Sequence, residues 1–188
     1  MSIVLHGVAA GKGIAIGHAH LITRGTTEVP QYDIDPDKLD AEVARFDNAI
    51  KATRKELEQL RGAIPENAPT ELGAFISLHL MLLTDVTLSR EPIDILREQK
   101  INAEWALKLQ SDKLAAQFDS IDDDYLRERK QDMLQVVRRI HNNLVGQSNE
   151  INLAGNLFDD TVLIAHDLSP ADTVLFKEQH ITAFVTDA

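Results

Sequence analysis

Four stretches of the chain bring together residue types that do chemistry or recognition. His18 and His20 stand two residues apart, which puts both imidazoles on one face of an extended strand, as two metal ligands would stand. No third ligand is suggested near them, so a solvated strand face accounts for the pair. Gly11-Lys12-Gly13 has the composition of a phosphate loop. It lacks both the Walker spacing and Gly-x-Gly-x-x-Gly, and no long helix follows it directly, so it reads as a hairpin turn. Asp122, Asp123 and Asp124 offer the carboxylates of a cation site. They fall where a helix would begin, and negative charge suits that end of a helix dipole without any metal. No metal site is expected.

The fourth stretch, Ser77 to Leu88, has the residues of a binding surface. On a helix, Leu72, Phe75, Ile76, His79, Leu80 and Leu83 form one row, and Leu78, Met81 and Leu82 fall on another. A helix apolar on two faces either buries both or buries one and presents the other to a partner. Thr84 and Asp85 break the run, and Asp85 is a good N-cap for whatever follows. The expectation is a kinked helix pair with a Met/Leu surface at its bend.

Composition narrows the partners. The chain has 188 residues, 30 acidic and 19 basic, for a net charge of −11. That charge repels phosphate backbones and anionic lipid, so a basic protein is expected as partner rather than nucleic acid or membrane. There is no cysteine, hence no disulfide framework, thiolate ligand or thiol nucleophile. Met1 to Leu5 is too short for a signal peptide, and no apolar run approaches the roughly 20 residues of a membrane span. A cytoplasmic protein is expected.

The elements that position these residues follow from spacing. Ile3 to Ile22 reads as strand, turn and strand, and Thr26 to Ile34, with Pro30, as a linker. Asp35-Pro36 opens a helix whose apolar row is Leu39, Val43, Phe46, Ile50, Leu57 and Leu60, ended by Gly62 and Pro65. A second helix starts near Pro69-Thr70-Glu71, and Pro92 starts or kinks a short segment after it. Asn102 caps a third with Leu107, Leu114, Phe118 and Ile121, and a fourth carries Leu126, Met133, Val137, Ile140 and Leu144 up to Gly146. Val162 to Ala165 is patterned as a strand buried on both faces, Ser169-Pro170-Ala171-Asp172 opens a helix, and Ile181 to Thr186 is a further strand. Strand, helix and strand make a parallel crossover unit. The first strands are marginal alone and must pair with the last ones. The fold class is therefore a two-domain α+β or α/β chain: a four-helix-type all-α bundle, 35–146, inserted into a small α/β domain made of 1–26 and 147–188.

Four segments carry a family resemblance: Gly7-Val-Ala-Ala-Gly-Lys-Gly-Ile-Ala-Ile-Gly-His-Ala19, His79-Leu-Met-Leu-Leu-Thr-Asp85, Asp123-Asp-Tyr-Leu-Arg-Glu-Arg129 and Val162-Leu-Ile-Ala-His-Asp-Leu-Ser-Pro-Ala-Asp-Thr173. Together, and in this order, they resemble the N-terminal half of Enzyme I, the phosphoenolpyruvate-protein phosphotransferase of the bacterial sugar phosphotransferase system. The resemblance spans essentially the whole chain. It implies a transferase that takes a phosphoryl group from phosphoenolpyruvate onto a histidine of a swivelling α/β phosphohistidine domain, then passes it to a histidine of the carrier HPr docked on the helical domain. In the family that histidine follows Thr-Asp-Ala or a close variant. Here Thr186-Asp187-Ala188 ends the chain, so the phosphorylated histidine is expected just beyond it and the fragment is expected to be inactive alone.

The resemblance also assigns residues. Thr173 matches the threonine that supports the active histidine. Glu71, His79, Met81, Leu82, Asp85, Leu88, Phe118, Leu126 and Arg129 match the HPr-binding surface. Val86 and Thr87 stand where many relatives carry acids. Mg²⁺ and phosphoenolpyruvate belong to a C-terminal domain of the full-length enzyme, which is expected to be a homodimer while the fragment is a monomer. The alternative is a non-catalytic regulatory module that keeps the helical scaffold for another protein partner.

Overall fold

In the computed structural model the described residues are 4, 6–22, 29–66, 68–121, 123–147, 160–165, 168, 176 and 181–187. They divide into two compact units, one within 1–24, 153–168 and 176–188 and the other within 25–152. The fold is helix-rich α+β with a small parallel sheet.

The sheet unit holds β1 (His18–Ile22), β2 (Thr161–Ala165) and β3 (Ile181–Thr186) in the order β1-β2-β3, all parallel. The expected pairing of the two ends of the chain is present, with His18 opposite Thr161 and Ile22 opposite Ala165. Gly17 is needed where β1 starts, because a Cβ there would lie 2.0 Å from the Asp160 carbonyl oxygen. That carbonyl accepts the His18 N–H at 2.7 Å. β2 is central, yet only Thr161, Leu163 and Ala165 are fully buried, while Val162 and Ile164 are half-buried. The expectation of a strand sealed on both faces is corrected to one sealed face. So is the hairpin: among the described residues 6–17 carry no strand, and β1 finds its partner in β2, because β-pairing joins edges irrespective of sequence distance. The helix expected from Ser169 lies outside the described residues.

The helical unit holds α1 (Leu39–Gly62), α2 (Thr70–Leu82), α3 (Val86–Ser89), α4 (Glu91–Gln99), α5 (Ala103–Asp119) and α6 (Asp124–Leu144). Where four helices and a short segment were expected, the middle is finer: Thr84-Asp85 separates α2 from α3, and Pro92 sits in the first turn of α4. Phe46, Leu57, Ile76, Leu96, Leu107, Val136 and Ile140 form one continuous buried core with the residues around them. α6 ends in a Schellman turn, with Gly146 at φ 70°, the Gln147 N–H on the Asn142 carbonyl at 2.8 Å and the Gly146 N–H on the Asn143 carbonyl at 3.4 Å.

Asn102 precedes α5 as expected but does not cap it with its side chain. Its amide donates to the Pro30 carbonyl at 3.0 Å and to Glu104 Oε2 at 2.9 Å, and its Oδ1 accepts the Tyr32 N–H at 3.1 Å. Glu42 of α1 accepts the Ala103 N–H in its place at 2.8 Å. Arg45 ties the corner together, donating from Nη1 and Nη2 to the two Glu104 oxygens at 2.7 and 2.6 Å and from Nη1 to the Leu144 carbonyl at 3.0 Å. Burial opposes ionisation of Glu104, but bonds from Arg45 and Asn102 outweigh it and hold its carboxyl below the usual range. The stretch read as a linker is thus anchored at Tyr32 by the helices it leads into.

Candidate functional site

Two faces of α2 meet different surroundings. Ile76, His79 and Leu83 point into the core, and Leu78 and Leu82 are half-buried. Met81 stands out at 62 % exposure and, just past the turn, Val86 at 61 %. The axes of 70–82 and 86–99 differ by 61°, so the two apolar side chains flank an elbow. The elbow is held locally. Asp85 Oδ1 accepts from the Thr87 N–H at 2.9 Å and from Thr87 Oγ1 at 2.7 Å, the Ser89 hydroxyl donates to the Asp85 carbonyl at 2.7 Å, and Thr84 Oγ1 donates to the Met81 carbonyl at 2.6 Å. Asp85 is therefore an N-cap first, and part of its charge is committed to its own turn.

The residues matched to a partner surface separate into two groups. Glu71, Met81 and Asp85 are exposed, while Leu82, Phe118 and Arg129 are partly exposed. His79 and Leu88 are sealed, at 0 % and 1 % exposure, so they form the floor of the elbow and not its contact surface. Helical periodicity had put His79 in one row with Ile76 and Leu83, and all three are buried. Leu126 lies in α6, and its side chain lies outside the description; Thr173 lies outside the described residues altogether. His18 is exposed and His20 half-buried on β1. Among the described residues no three His, Asp or Glu side chains stand close enough to share a metal ion.

Beneath the elbow, the His79 ring lies 4.1 Å from the Phe75 ring, centroid to centroid. Its Nε2 is 3.9 Å from Asp132 Oδ1 of α6, beyond hydrogen-bond reach, and Arg129 Nη1 is 3.6 Å from Asp132 Oδ2. Burial, helped by the Arg139 charge, pushes the imidazole down to about 4. The ring is neutral at pH 7, and the approach to Asp132 is not an ion pair. Asp132 and Arg139 were not singled out from the sequence. Their i+3 and i+7 spacings around Arg129 and Asp132 were the available signal, but nothing in α6 itself says that α2 lies across it. Val86 was noticed only as a missing acid, not as an exposed apolar contact.

Comparison with known proteins identifies the frame that carries this elbow. Residues 6–129 match the family model described as "PEP-utilising enzyme, N-terminal". The phosphoenolpyruvate-protein phosphotransferase of Cupriavidus necator is 42% identical over 194 aligned residues, covering 100% of this chain and 33% of that protein. That of Bacillus subtilis is 33% identical, covering 97% of this chain and 31% of its own length. The chain thus spans about a third of the length of these relatives. A solution structure of Enzyme I superposes with a TM-score of 0.77 at 32% identity, covering 96% of this chain and 72% of that one. An N-terminal domain of "Enzyme 1 - Nitrogen" gives 0.65 at 24% identity, a likeness of fold. No single helix among the described residues is long and apolar enough to cross a membrane. By its family match and these relatives, the chain belongs to the N-terminal family of PEP-utilising enzymes and is homologous to the N-terminal part of Enzyme I, phosphoenolpyruvate-protein phosphotransferase.

Proposed function

We propose that this chain is the HPr-docking portion of a phosphoenolpyruvate-protein phosphotransferase, with the helical unit inserted between the two halves of a phosphohistidine domain built from both ends of the chain. The observation that carries the reading is the elbow: Met81 and Val86 stand exposed over a sealed core, with Leu82 and Leu78 half-buried beside them. An apolar centre of this kind, with a flexible methionine, accommodates a small partner, and Glu71, Asp85 and Arg129 supply a charged rim. Transfer between two histidines asks mainly for in-line positioning and charge stabilisation, so rigid docking is the contribution expected of a bundle. His79 does not take the phosphoryl group in this reading. Its ring is sealed, leaving no path for in-line attack. Phosphoenolpyruvate and magnesium binding, and dimerisation, belong to other parts of the full-length enzyme.

The test is to titrate the chain into isotope-labelled HPr and follow the amides around the carrier's phosphorylated histidine. Saturable shifts there, weakened at least ~10-fold by Met81→Lys, are expected, since loss of a central apolar contact is worth about 1.4 kcal/mol or more. An unchanged HPr spectrum at millimolar concentration would sink the reading.

A further inference from the structure

The elbow rests on a buried imidazole with no hydrogen bond. His79 is completely inaccessible, and neither ring nitrogen has a hydrogen-bond partner. Buried polar atoms without partners are rare and costly, and a histidine seated this way is tolerable only as the neutral ring. α2 packs on α1 and on α6. The buried row of α1, Phe46, Ala49, Thr53, Leu57 and Leu60, brings no ionisable group to this seat. α6 brings Asp132 with Arg129 beside it, and the positive field of Arg139. Within α2 the ring meets Phe75, whose face gives no hydrogen bond to either nitrogen.

We propose that His79 is an acid-sensitive latch for α2: as a neutral ring it packs as one more core side chain, and taking up a proton lifts α2, with Met81, out of its seat. Three features make release the outcome of protonation. An imidazolium needs two acceptors, and among the described side chains the site presents one carboxylate, out of bonding range and also engaged with Arg129. Arg139 repels the new charge. The Thr84-Asp85 turn gives α2 a hinge at its C-terminal end, so α2 can open while α3 and α4 remain seated.

Linkage sets the sign. The folded ring binds its proton near 4 against an ordinary value of 6.5, so the opened state holds more protons throughout that window. Opening is therefore favoured as pH falls from 6.5 towards 4. The inference needs no partner and stands apart from the docking proposal.

Amide hydrogen exchange, as protection factors corrected for intrinsic rates, tests it on the chain alone. Between pH 8 and pH 5 the protection of α2 amides is expected to fall about 30-fold, while those of β2 stay level. His79→Met, similar in volume and without a titrating group, is expected to flatten the α2 profile. A level α2 profile in the parent chain, or an equal fall in His79→Met, overturns the proposal. If that variant does not fold, the His79 ring protons decide: a titration midpoint below 5.5 supports the latch, and one at or above 5.5 overturns it.

Discussion

In the helical unit, Phe46, Leu57, Leu107, Val136 and Ile140 are sealed together, and the polar groups at its corner are joined by Arg45, Glu42, Glu104 and Asn102. In the sheet unit, Leu163, Ala165 and Phe176 are the buried apolar residues among those described, while Val8, Ile14, Ile16, Leu21, Phe184 and Val185 stand exposed. The difference follows from how the elements close. A helix satisfies its own backbone and asks neighbours only to cover a stripe, so six helices in series bury one another's stripes. A parallel sheet needs cover on both faces and partners on both edges, and among the described residues of its three strands Leu21, Phe184 and Val185 stay exposed. Among the described residues the helical unit is thus a closed core that displays an elbow, and the sheet unit carries exposed apolar side chains.

The comparison predicts unequal responses to mutation. Phe46→Ala should cost the helical unit about 3–5 kcal/mol through the cavity it leaves. Denaturant unfolding followed by helical circular dichroism would report it, with β1–β3 amide shifts unchanged. Joint loss of the strands would show that the units fold as one and break the contrast. Arg45→Ala should cost about 2–3 kcal/mol, because Glu104 is left buried without its bidentate partner, with some relief from the solvent that reaches this corner. The Glu104 carboxyl sits below its ordinary 4.5 in the folded state, so its contribution is present above that pH and is lost as pH falls through the lower folded value. A stability profile below pH 4.5 that is as steep in Arg45→Ala as in the parent would remove the corner from the account. Smallest of all, Ile16→Ser should change stability by less than about 0.5 kcal/mol while lowering the binding of an apolar dye, since this side chain covers nothing within its unit. A loss of a kilocalorie or more would mean that the exposed segment packs after all.

What lay in local sequence came through closely. β3 occupies Ile181–Thr186 as its β-rich run indicated, and the kink falls at Thr84-Asp85, where polar residues interrupt an apolar helix and Asp85 caps the next one. The pairing of first and last strands was legible because an isolated strand cannot stand. The hairpin was not a sound reading: glycines around Lys12 mark a turn, but a turn does not say which edge the next strand joins. Asn102 shows the same limit. Its type and place name a cap, yet its side chain bonds Pro30, Tyr32 and Glu104, while Glu42, sixty-one residues from the Ala103 N–H it accepts, takes the cap position.

The sequence by itself placed α1, α2, α5, α6 and the strands β1 to β3 in order, with their apolar rows, since these depend on propensity and periodicity over a few residues. Only the tertiary structure decided that His79 and Leu88 lie under the elbow while Met81 and Val86 lie on it, and that Asp132 and Arg139 face the same ring. Spacing along one helix defines which side chains share a face. Which face another helix covers, and which charges it carries there, depends on packing between segments distant in the chain.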